Sequence, residues 1–126
     1  MIFGILLPLI LPAQYFDSGQ DPSKIKWNQI NTEHFQLIFP KEFEAEAQRL
    51  ANVLDYVYTY GSRTLEHQPK KISVLLHTQS TIANAFVTWA PKRAEFYTIP
   101  PQNIYPQNWL DQLAIHEYRH VVQIDK

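Results

Sequence analysis

Residues 108–126 read NWLDQLAIHEYRHVVQIDK. Leu110, Leu113, Ala114, Val121 and Ile124 recur at helical spacing and form one apolar stripe. The pattern predicts an amphipathic helix from Trp109 onward. Asn108 is a suitable N-cap, and Asp111, three residues later, can complete a capping box. On this helix stand His116, Glu117 and His120. Residues four apart lie on one helix face, about one turn apart. Two imidazoles placed so can aim at a single zinc ion, at about 2.0–2.1 Å each. The residue after the first histidine points into the same cleft. A carboxylate there can take a proton from water activated by the metal. The spacing therefore makes His116 and His120 the candidate zinc ligands and Glu117 the candidate general base. Such a pattern arises by chance in roughly one chain in a hundred of this composition. The plainer reading of the same residues is two solvated histidines on an exposed helix face.

Upstream, Asn84–Trp89 and Ala94–Ile99 read as two strands joined by the turn Ala90-Pro91-Lys92-Arg93, an antiparallel hairpin. Pro100, Pro101 and Pro106 stiffen the loop that leads to the last helix. Ile72, Val74 and Leu76 alternate in a strand that ends at His77, and Phe35, Leu37 and Phe39 alternate in another. Between these two strands lies a helix over about 41–60, with Phe43, Ala47, Leu50, Leu54 and Val57 on one face. Glu42, Glu44 and Glu46 suit the positive end of its dipole, and Gly61 suits its C-cap. Tyr56, Tyr58 and Tyr60 read as core-edge residues whose phenol groups reach solvent. The fold class is α+β: a mixed sheet of about four strands with an edge hairpin, a backing helix and the histidine-bearing helix.

The remaining sequence bounds location and partners. Residues 14–33 are polar and read as an extended lead-in, with Trp27 and Ile30 tucked onto the domain. Residues 1–13, MIFGILLPLILPA, carry no charge and are too short to span a bilayer. They fit a signal peptide cleaved after Ala13, which implies an exported, periplasmic or outer-envelope protein. The run lacks a preceding Lys or Arg, and Leu11 is larger than the usual residue near a cut. The 126 residues are 45% hydrophobic and 18% charged, the balance of a folded domain. Eleven Lys and Arg against twelve Asp and Glu leave a charge of -1, so no nucleic-acid partner is expected. The chain has no cysteine, which excludes disulfides, thiolate metal sites and a Cys nucleophile. Three glycines exclude a Gly-rich phosphate loop.

With its order of elements, its Asn84-Ala85-Phe86 segment and its 116–120 motif, the chain resembles the N-terminal half of a gluzincin metallopeptidase domain, the thermolysin-like, peptidase MA-like group. The stretch HEYRHVVQ is also similar to zincin-like domains of large bacterial envelope proteins, some of which carry a TolB-like propeller. The resemblance covers roughly 34–126 and is firmest over 109–123. It implies a zincin-like upper subdomain, zinc as cofactor, and hydrolysis of peptide bonds in a peptide or protein substrate. It also implies that Asn84 and Ala85 lie on an edge strand that binds substrate backbone, and that the protein associates with the envelope. In the family the third ligand, a Glu, and a transition-state stabiliser come from further downstream. Residues 34–126 thus read as an incomplete, inactive half that needs a downstream domain of the same chain. Gln123 and Lys126 stand where a metzincin would have Gly and His, so that class is rejected. His34 and His77 read as structural or exposed, and Glu95 as a residue of the cleft rim. Tyr118 and Arg119 are expected to point away from the metal, in packing or surface roles. A second reading stays open: a non-catalytic zincin-like envelope module with a binding or scaffolding role.

Overall fold

Alternating apolar residues build a sheet with one face made to be covered. The computed structural model describes residues 21–102 and 107–126. The apolar segment 1–13, the start of the lead-in and Pro106 lie outside the described residues. Five strands form: β1 (Trp27–Asn31), β2 (Phe35–Pro40), β3 (Ile72–His77), β4 (Ala85–Thr88) and β5 (Arg93–Tyr97). Their order in the sheet is β1-β2-β3-β5-β4. β1 pairs antiparallel with β2, and β4 antiparallel with β5, while β2–β3 and β3–β5 are parallel. A single 3-10 turn at Lys41–Phe43 leads into helix α1 (Glu44–Leu65), and helix α2 (Trp109–Asp125) follows the hairpin. Among the described residues the fold is α+β, with a mixed five-stranded sheet and two α-helices.

The core explains the layering. Phe35, Leu37 and Phe39 of β2, Ile72, Val74 and Leu76 of β3, and Ala94 and Phe96 of β5 are all buried in one cluster. Ala47, Leu50, Ala51 and Leu54 of α1, and Leu110, Leu113, Ala114 and Val121 of α2, join the same cluster. Both helices therefore cover one sheet face. Full burial of each Leu or Phe side chain contributes about 1.5–3 kcal/mol. α1 packs on β1 and β2, α2 packs on β4 and β5, and the helices pack on each other. No helix among the described residues is long and apolar enough to cross a membrane.

Three expectations change. The sheet has five strands where about four were expected, because the lead-in ends in β1. The sequence WNQIN carries amides on both faces, so apolar alternation is absent there. Only its Ile30 packs against the core. Second, α1 continues to Leu65, and Gly61 lies inside the helix. Gly61 faces the ring of Tyr118, and a Cβ at that position would lie 2.6 Å from Tyr118 Cε1. The missing side chain thus lets the helices approach, and Glu66 takes the left-handed cap position with φ 53. Third, Asn108 caps α2 by accepting the Leu110 N–H at 3.0 Å, but Asp111 serves another partner. It accepts from Arg49 Nη1 at 2.6 Å and so ties the start of α2 to α1. The tyrosines divide as well: Tyr58 is buried edge-on to Phe35 and Tyr118, while Tyr56 and Tyr60 are exposed.

Candidate metal centre

Among the described residues, β4 lies at the edge of the sheet and pairs with β5 alone. α2 runs against it, and a cleft of about 770 Å³ opens between strand and helix. Asn84, Ala85, Phe86 and Val87 line it from the strand side. His116, Glu117, Arg119, His120 and Gln123 line it from α2. The five candidate residues Asn84, Ala85, His116, Glu117 and His120 thus border one cleft, although β4, with Asn84 just before it, and α2 are separated in sequence.

Helical spacing sets the local geometry. His116 Nε2 and His120 Nε2 lie 3.3 Å apart, with the rings inclined by 73°. Two ligands of a tetrahedral zinc, at about 2.0–2.1 Å from the ion, stand about 3.3–3.4 Å from each other. The separation equally suits one N–H···N hydrogen bond between neutral rings. Both imidazoles are exposed. Glu117 is 4% exposed, and its Oε2 is buried without a hydrogen-bond partner among the described residues. Burial pushes the Glu117 carboxyl above its ordinary range, and the adjacent His116 and His120 pull it back down. An orphaned buried carboxylate oxygen costs about 1–3 kcal/mol. The two convergent imidazoles supply a pair of nitrogen donors, and the buried Glu117 oxygen belongs to the same stretch of α2.

Among the described residues, no group of three His, Asp or Glu side chains is placed to hold one metal ion. His34 is stacked on Tyr58, with ring centroids 3.5 Å apart. Glu95 does not stand at the cleft rim. It is 2% exposed and belongs to the sheet face opposite the helices, since its neighbours Ala94 and Phe96 face the core. There Glu95 Oε2 accepts from His77 Nε2 at 3.0 Å, and Glu95 Oε1 accepts from Arg93 Nε at 2.5 Å. Asp21 Oδ2 lies 2.6 Å from His77 Nδ1. Alternation within RAEFY would have marked Glu95 as facing away from the helices, but nothing local marks its partners.

Tyr118 is packed as expected, buried with its hydroxyl against Ser62 Oγ. Arg119 takes the expected surface role. It is exposed and lines the histidine cleft as well as a second groove of about 1030 Å³ between α1 and α2. The foot of α2 is fixed by Asp125, which accepts from Lys92 of the hairpin turn, from His67 and from the Lys70 N–H. Comparison of the chain with protein-family models, curated proteins and solved structures finds no match.

Proposed function

We propose that the cleft belongs to a zincin-like, gluzincin-type zinc metallopeptidase, with His116 and His120 as metal ligands and Glu117 as general base. The observation that carries this reading is the 3.3 Å convergence of the two Nε2 atoms beside the orphaned Glu117 oxygen. Zinc, when bound, supplies Lewis acidity and brings the pKa of a water near 7. Glu117 takes the proton of the attacking water as its oxygen joins the carbonyl carbon. It returns that proton to the amine nitrogen as the C–N bond breaks.

The edge strand supplies the binding wall. The side of β4 turned away from β5 can pair with the backbone of an extended peptide, whatever its side chains. Asn84 and Ala85 begin that wall and would meet the substrate. Residues 1–13 support export to the periplasm or outer envelope. The reading calls for a third protein ligand, which the described residues do not supply. The gluzincin likeness would draw it from a glutamate on a further helix.

The test uses the full reading frame as it occurs naturally, with zinc content and hydrolysis of an unfolded protein as readouts. About one zinc per chain is expected, lost in His116→Ala and His120→Ala. Glu117→Gln should keep the zinc and lower turnover by about 10²–10⁴-fold. A protein without zinc, or zinc content unchanged in both histidine variants, overturns the reading. One observation favours a non-catalytic envelope module instead, namely that the described residues bring only two ligands together. Zinc retained in a protein that hydrolyses nothing would select that module.

A further inference from the structure

The two histidines are not equivalent. Gln123 Oε1 lies 3.2 Å from His120 Nδ1, one helical turn along α2. A carbonyl oxygen only accepts, so Nδ1 carries the proton and donates it. A neutral imidazole has one N–H, so His120 Nε2 then presents a lone pair. That lone pair faces His116 Nε2 at 3.3 Å, and the hydrogen between the two rings belongs to His116. Among the described residues, His116 Nδ1 has no acceptor comparable to Gln123. His120 is therefore already in the tautomer that ligates through Nε2.

We propose that Gln123 is a positioning residue of the metal centre, holding His120 in the tautomer that presents Nε2 to the cation. The inference rests on the zinc reading of the cleft. Imidazole ligands are commonly held by an acceptor on their second nitrogen, and loss of that acceptor weakens metal binding by about 10–100-fold. Gln123 is exposed at the cleft, so its replacement disturbs no core packing.

Two measurements on the full chain decide it. In nitrogen-15 spectra of the metal-free protein, neutral wild-type His120 should show a protonated Nδ1 and a bare Nε2. Gln123→Leu should shift His120 towards the Nε2–H form. Titrated with zinc ions alone, Gln123→Leu should bind about 10–100-fold more weakly than wild type. Gln123→Glu, which keeps an acceptor at the same place, should restore both the tautomer and the affinity. A wild-type His120 protonated at Nε2 overturns the inference. Equal zinc affinity in wild type and Gln123→Leu overturns it too, while leaving the zinc reading intact. A wild type that binds no zinc overturns the zinc reading and this inference together.

Discussion

Two histidine neighbourhoods, built from the same residue types, lie on opposite faces of one sheet. On the far face, His77 is 2% exposed and both its ring nitrogens meet carboxylates, from Asp21 and Glu95. Arg93 closes the network on the second oxygen of Glu95. In the cleft, His116 and His120 are exposed and face each other, while Glu117 keeps one buried oxygen without a partner among the described residues. The first group is saturated, so its chemistry is spent on structure. The second is unsaturated, and an unsatisfied buried polar atom in a folded protein calls for a reason. Saturation, more than residue type, separates the structural histidine from the candidate ligands.

The sharpest way to break this comparison is Glu95→Ala. It would leave the buried His77 and the partly buried Arg93 without their shared partner and should cost about 3–5 kcal/mol in urea unfolding. A cost below about 0.5 kcal/mol would show that the far-face network carries no structural weight. Next in size is Gly61→Ala. The added Cβ would collide with the Tyr118 ring, next to Glu117, and the overpacking should cost about 1–3 kcal/mol. Unchanged stability would mean that α1 and α2 separate freely there.

A third test concerns the joint between the two neighbourhoods. Asp125 ties α2 to Lys92, in the turn that leads into the strand of Glu95. The hydrogen bond from Lys92 is the largest cause that holds the Asp125 carboxyl down, from an ordinary 3.8 to about 2, against the opposing effect of burial. A carboxyl lowered on folding adds stability that is fully present above its unfolded value. That stability is lost as pH falls from about 4 through about 2, and it amounts to about 1–2 kcal/mol. Asp125→Asn should remove this portion of the acid-induced loss, seen in melting temperatures measured across that range. An identical acid slope in both proteins would discount the Asp125 tie. The smallest effect is expected at the cleft itself. Without zinc, His116→Ala and His120→Ala should each change stability by no more than about 0.5 kcal/mol. A loss as large as that of Glu95→Ala would make the pair structural.

What could be read from the sequence follows from how local each cause is. Asn108 and the apolar stripe of α2 act within a few residues, so the helix and its three chemical side chains were legible. β2, β3 and β5 declare themselves by alternation. β1 does not, because its amides bond across the strand pair, as Gln36 Nε2 does to Gln29 Oε1 at 3.0 Å. Gly61 looked like a helix end because its real partner, Tyr118, belongs to the other helix. Glu95 looked like a rim residue because His77 and Asp21 reach it only through the tertiary fold. Arg119 could be placed on a helix face, but the wall opposite that face is set by α1 packing.

β4 has a further consequence, for association. An open strand edge accepts a guest without regard to its identity, and a second copy of the chain in the same extended form would qualify. The strand is only four residues long, and it runs into Trp89, 75% exposed, and then Pro91. Proline cannot donate to a growing ladder, so pairing stops after a few hydrogen bonds. β4 is long enough to hold a short segment and too short to seed a fibre.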